Sequence, residues 1–239
     1  DNGATYEGRL EKNDNLELAL AVGEILQAQG YDVEYTRTED VYDSPVQKAR
    51  MGNASGADFF VSIHRNSSAT PNQYNGVQTL IYDNSGIKAV MAENINKELE
   101  KVGYRNINVA ERPDLAVLRR TKMPAVLVEA GFINSDIDNN LWDTKFSETA
   151  EAIAAGIDET IRSAGLAAAD ESMVYEENSE NADNGAMSEK SGYQILVGIY
   201  RTFGAASYQM NRFINDGYMA DIYEDAGLFQ VRIGMYENI

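Results

Sequence analysis

The 239 residues contain no cysteine, which excludes disulfides, thiolate metal sites and cysteine nucleophiles and leaves the redox compartment open. Histidine occurs once, at His64, so any imidazole chemistry or imidazole metal ligation in this sequence passes through that residue. Basic residues are scarce: 20 Lys+Arg stand against 38 Asp+Glu, a formal charge of −18. Such a polyanion repels phosphate backbones, and no basic patch beyond Arg119-Arg120 offsets it, so nucleic-acid binding is disfavoured. No apolar run approaches the roughly 20 residues of a transmembrane helix. A signal peptide is also not visible. The polar start Asp1-Asn2-Gly3-Ala4 and the end at Ile239, directly after an alternating apolar segment, suggest a fragment.

Apolar residues make up 44% of the chain, enough for a sizeable core. Charge and composition divide it into three parts. Residues 166–190 carry seven acidic side chains and one basic, with no apolar periodicity, so 166–191 reads as an acidic, solvated linker. It separates a domain over 1–165 from a small one over 192–239.

In the first domain Leu18, Val22, Ile25 and Leu26 recur at helical spacing, with Asp14 and Glu17 as a cap-like start and Gly30 as the stop. Tyr31–Thr36 alternates like a strand, and Val46–Ala54 reads as a short helix. Phe59–Ile63 reads as a strand buried on both faces, followed by a strand over Gly76–Tyr82. Ile87, Val90, Met91, Ile95 and Leu99 line a helix ending near Gly103; Ala125–Val128 is a second buried strand, and Phe146–Ile161 a closing helix. Strands alternating with helices indicate an α/β fold with a mostly parallel sheet flanked by helices. The second domain reads as strand (Tyr193–Tyr200), helix (205–215) and two strands (Tyr218–Tyr223, Leu228–Met235), half of an α+β ferredoxin-like unit.

Two apolar strands run into residues with chemical capacity, His64 and Glu129. Ligands bind at the carboxyl ends of strands in open parallel sheets. A carboxylate directly after four apolar strand residues is poorly solvated, which raises its pKa and suits it to acid–base work. The plainer alternative is that Glu129 caps a turn and His64 is a satisfied histidine. Glu11, near a helix start, suits the helix dipole without any further role.

Val61–Asn66 (VSIHRN) resembles the "SIHxN" signature of the zinc-dependent N-acetylmuramoyl-L-alanine amidases. Pro124–Ser135 (PAVLVEAGFINS) resembles that family's "PAVLVExGF" segment. Glu11-Lys12 leading into Asn15-Leu16, Gly30-Tyr31 leading into Val33, Thr36-Arg37 and Asp40, and Val117-Leu118-Arg119 before Thr121 and Pro124 follow in order over about residues 1–162. The resemblance implies a hydrolase of peptidoglycan that cuts the amide between the lactyl group of N-acetylmuramic acid and L-alanine. It implies Zn2+ held by Glu11, His64 and a further histidine expected upstream of Asp1, with Glu129 as the catalytic acid–base. Without that histidine the 239 residues would bind zinc weakly and be nearly inactive. The competing readings are a non-catalytic wall-binding protein and a zinc peptidase acting within the stem peptide.

In the second domain, Tyr193–Gly198 (YQILVG), Gly217–Ala220 (GYMA) and Leu228–Gly234 (LFQVRIG) resemble the SPOR family. That implies binding to glycan strands, with the family's second helix and last strand lacking counterparts before Ile239. The implied place of action is the cell wall or the extracellular space, with peptidoglycan glycan and stem peptide as partners.

Overall fold

The computed structural model describes residues 1–165, 192–200, 218–225 and 228–237, together with 206, 210, 213 and 214. The chain divides into two compact units, Asp1–Leu166 and Ala167–Ile239. The expected linker over 166–191 lies outside the described residues. So does most of the expected helix over 205–215, of which residues 206, 210, 213 and 214 are helical.

The first unit opens with a hairpin of β1 (Thr5–Tyr6) and β2 (Arg9–Leu10) that leads directly into α1 (Glu11–Ala28). Then come α2 (Pro45–Ser55), β3 (Phe60–Asn66), β4 (Val77–Ile81), α3 (Gly86–Val102) and β5 (Asn106–Glu111). A one-turn α4 (Ala116–Arg119), β6 (Ala125–Phe132), α5 (Asp136–Thr144) and α6 (Phe146–Ser163) complete it. The sheet order is β3-β6-β4-β5. β3 runs parallel to β6 and β4 parallel to β5, while β4 and β6 are antiparallel, so the sheet is mixed at its centre. The connection between β3 and β4 explains this. It contains no helix to carry the chain back across the sheet, so β4 returns in the opposite direction.

β6 is central, and its first four residues are all buried, because helices cover both faces of the sheet there. On one face Thr79 Oγ1 donates to Asn96 Oδ1 of α3 at 2.7 Å. α3 and α6 pack closely behind it: a Cβ at Gly156 would lie 2.6 Å from the Cα of Ile95, so only glycine permits that approach. On the other face Leu80, Ala125 and Leu127 pack with Val117 and Leu118 of α4.

Three local expectations differ from the structure. Asp14 does not cap α1, which begins one turn earlier; its carboxylate turns inward to two arginines instead. Tyr31–Thr36 forms no ladder, since alternation sorts side chains by face but a strand also needs a neighbour to bond. Phe59–Ile63 is only partly buried because β3 is an edge strand. β5 and α5 were not expected at all: Asn106–Glu111 is a short edge strand with three of its six residues exposed and none fully buried, so its apolar signal is brief.

The second unit is a sheet of β7 (Gly192–Tyr200), β8 (Ala220–Asp225) and β9 (Leu228–Glu237) in the order β7-β9-β8, antiparallel throughout. Val231 and Ile233 of β9 are buried, and the Arg232 guanidinium stacks 4.4 Å from the Tyr223 ring centroid. No helix among the described residues is long and apolar enough to cross a membrane.

Candidate active site

Glu11, His64 and Glu129 are far apart in sequence, and three different elements bring them to one end of the sheet. His64 and Glu129 are register partners on the parallel strands β3 and β6, near their carboxyl ends. Directly registered residues share a sheet face, so both side chains project from the same side. Glu11 reaches them as the first residue of α1, where its Oε1 accepts from His64 Nδ1 at 2.7 Å.

Glu11 is held on several sides. The Ala4 N–H donates to its Oε2 at 2.7 Å and the Asn15 Nδ2 to its Oε1 at 3.2 Å. Gly3, in the left-handed region at φ +65°, lets the amino-terminal loop close over the carboxylate; a Cβ there would lie 2.4 Å from Oε2. Burial pushes the Glu11 carboxyl up, but the His64 hydrogen bond and the Ala4 amide outweigh it and hold the pKa down at about 2. Glu11 is therefore ionised, and His64 Nδ1 is the donor in their bond.

Glu129 has the opposite environment. It follows Leu127 on the face covered by α4, so it emerges at the edge of the Leu80–Leu118–Leu127 cluster. Its Oε2 is buried and has no hydrogen-bond partner. Burial is the main cause of a pKa pushed up to about 7, opposed by His64 and reinforced by the Glu11 carboxylate. One carboxylate thus stays charged while the other can take and return a proton near neutrality, a separation suited to acid–base chemistry.

This predicts a pH-dependent effect on stability. Glu129 holds its proton more tightly in the folded chain, at about 7 against an ordinary 4.5. Its contribution to stability is complete below pH 4.5 and is lost as pH rises through 7. In the metal-free protein, Glu129→Gln should stabilise the fold at pH 8 by at most about 3 kcal/mol, seen as a higher melting temperature, and hardly change it at pH 4. Equal shifts at both pH values, measured by calorimetry, would show a solvated carboxyl.

The geometry also exposes residues that sequence reasoning passed over. Arg65, read only as the variable position of the His64 motif, is buried, with its Nη1 donating to Asp14 at 2.6 Å. It also donates to the carbonyls of Gly131 and Phe132 and to Asn139, and lies 4.1 Å from the Trp142 ring centroid. It shares the strand parity of buried Ile63, a signal that the sequence did contain.

Glu11 and His64 offer one carboxylate and one imidazole, a donor set of the type zinc takes. No three His, Cys, Asp or Glu side chains among the described residues group to hold a metal. The residues present therefore fit two positions of a zinc site, with Glu129 beside them.

Comparison with known proteins follows the same residues. Residues 1–159 match the model of the family described as N-acetylmuramoyl-L-alanine amidase. The chain is 36% identical over 171 residues to the endolysin of Bacillus phage SPP1, covering 67% of this chain and 62% of that protein. It is 32% identical over 212 residues to the N-acetylmuramoyl-L-alanine amidase CwlM of Bacillus licheniformis, covering 84% of this chain and 81% of that protein. Among solved structures, the catalytic domain of CwlV, an amidase from Bacillus (Paenibacillus) polymyxa var. colistinus, aligns with a TM-score of 0.61 at 31% identity, over 68% of this chain and 92% of that one.

Proposed function

The chain belongs to the N-acetylmuramoyl-L-alanine amidase family, and we propose on that premise that it hydrolyses peptidoglycan at the bond joining the lactyl group of N-acetylmuramic acid to L-alanine, acting in the cell wall or outside the cell. The observation that carries this reading is the buried, unpartnered Oε2 of Glu129 beside the bonded pair Glu11–His64.

Glu11 and His64 would hold zinc; His64 is the only histidine of these 239 residues, so the second imidazole that the family resemblance implies is not among them. Zinc, when bound, supplies Lewis acidity that polarises the amide carbonyl and makes water acidic enough to attack at neutral pH. Glu129 receives the attacking water's proton at Oε2 and returns it to the leaving amine of L-alanine. Its apolar border keeps bulk water from competing for that proton. In the metal-free chain, ionised Glu11 holds the His64 ring in place through the Nδ1 bond. His64→Ala or Glu11→Gln should each weaken zinc binding by more than the about 10–100-fold typical of outer-sphere changes, measured by calorimetric titration. Unchanged zinc affinity in both variants would remove them from the ligand set.

We infer that the second unit binds glycan strands. The SPOR-like segments Tyr193–Gly198 and Leu228–Gly234 support this by lying on the neighbouring strands β7 and β9. Holding a hydrolase on an insoluble polymer raises its local concentration there.

The deciding experiment digests purified peptidoglycan with a metal-loaded form of the enzyme that includes a second imidazole ligand, and identifies products by mass spectrometry. Peptides with a free L-alanine amine, together with intact glycan, are expected. Cuts confined to the interior of the stem peptide would replace the amidase reading with a peptidase; binding without cleavage would replace it with a wall-binding protein.

A further inference from the structure

The exposed sheet face beyond Glu129 carries side chains that the proposed chemistry does not use. Glu129 stands opposite Gln78 on β4, and Gln78 opposite Asn108 on β5. With His64 opposite Glu129 on β3, these four residues form one row across all four strands. The row lies on the face away from α3, since Val77 and Thr79 of β4 have the opposite parity and are fully buried, with Thr79 bonded to Asn96 of α3. Gln78 Nε2 donates to Asn108 Oδ1 at 2.6 Å, and the pair is exposed. Among the described residues, Gln78 Oε1 and Asn108 Nδ2 make no hydrogen bond. One acceptor and one donor therefore face solvent next to the proposed acid–base, the complement of a peptide's N–H and C=O groups.

The order of residues along the row gives the direction in which a substrate would lie. The Glu11–His64 pair is on the β3 side of Glu129, which is where the acyl half of a scissile amide would be activated. The amine that Glu129 protonates leaves on the other side, over β4. We propose that the stem peptide on the amine side of the scissile bond lies across β4 and β5, with Gln78 and Asn108 as positioning residues that hydrogen-bond its backbone amides. This assignment rests on the amidase reading and extends it to how the substrate is recognised. Strands stand about 4.8 Å apart, so Glu129 and Asn108 are separated by roughly 10 Å, about three residues of extended peptide. The row therefore recognises peptide length, while cleavage needs only the first residue.

The test measures binding without metal or turnover. The 239-residue chain, in chelator, is titrated with N-acetylmuramoyl-L-alanine and with N-acetylmuramoyl tripeptide, observing side-chain amide signals by NMR. The unmodified chain should bind the tripeptide form about tenfold more tightly, with the Gln78 and Asn108 amide signals moving only for that ligand. Gln78→Ala and Gln78→Leu should each bring the two affinities within twofold, and Gln78→Glu, which keeps an acceptor, should restore part of the difference. Undisturbed Trp142 fluorescence would confirm that each variant is folded. Equal affinity of the unmodified chain for both ligands, or a tenfold preference that survives both Gln78→Ala and Gln78→Leu, overturns the proposal. Failure of the amidase reading would be seen separately: the metal-loaded enzyme would then release no peptide with a free L-alanine amine, whatever the binding results.

Discussion

Replacing Glu129 with glutamine should slow amide hydrolysis by the metal-loaded enzyme about 10²–10⁴-fold, a loss of about 3–5 kcal/mol of transition-state stabilisation. Glutamine keeps the shape of the side chain and both heavy atoms at its end, so packing beside Leu127 is preserved. It cannot accept a proton from water and return it to an amine. The loss should therefore fall on kcat, with KM for muramoyl peptides within a few-fold of the parent. Zinc content should be unchanged, since Glu11 and His64 are untouched. Steady-state kinetics on a defined muramoyl peptide provides the check. A variant retaining more than about a tenth of the parent kcat would show that Glu129 is a bystander. The burial that raises this carboxyl to about 7 in the metal-free chain has the same origin as its usefulness: an apolar border on one side and no hydrogen-bond partner for Oε2.

The second large effect is structural. Arg65→Leu or Asp14→Leu should each cost about 3–5 kcal/mol, because Asp14→Leu leaves the Arg65 charge buried without its carboxylate, and Arg65→Leu leaves buried Asp14 with only the longer 3.4 Å contact to Arg9. For a unit of this size, that lowers the melting temperature by roughly 10 °C or more. The pair itself does not earn its place by stability. Burial raises Asp14 despite Arg65 and Arg9, and burial lowers Arg65 despite Asp14, so desolvation exceeds attraction on both sides. The double replacement Asp14→Leu with Arg65→Leu should accordingly recover more than half of the single-variant loss. What it should not recover is geometry. Arg65 ties α1 to the Gly131 and Phe132 carbonyls just past Glu129, and to Asn139 of α5. Trp142, the only tryptophan, lies 4.1 Å from the guanidinium, so its fluorescence reports unfolding of this region directly. Additive losses in the double variant would show that the two side chains act independently.

Local pattern made several elements legible. α3 and α6 were readable because their apolar residues repeat at helical spacing, and β6 because Ala125–Val128 is apolar on both faces. β5 was not readable, since an edge strand with an exposed face needs few apolar residues. Asp14 followed by Glu17 looked like a cap, because a capping pair and a buried ion pair draw on the same residue types. The candidate site was legible only in part. The lone histidine and a glutamate after an apolar strand are visible as residue types, whereas Gln78 and Asn108 have no meaning until strand order is known.

By itself the sequence determined the inventory: one imidazole, no thiol, an excess of acid, and two apolar strands that each deliver a polar residue at one end. Tertiary structure alone decided that Glu11 meets His64 across 53 residues and that β6 lies between β3 and β4. Local periodicity specifies which face of an element is buried. The contacts that make Glu11 ionised and Glu129 protonatable depend on which elements become neighbours, and that is set by packing across the whole sheet.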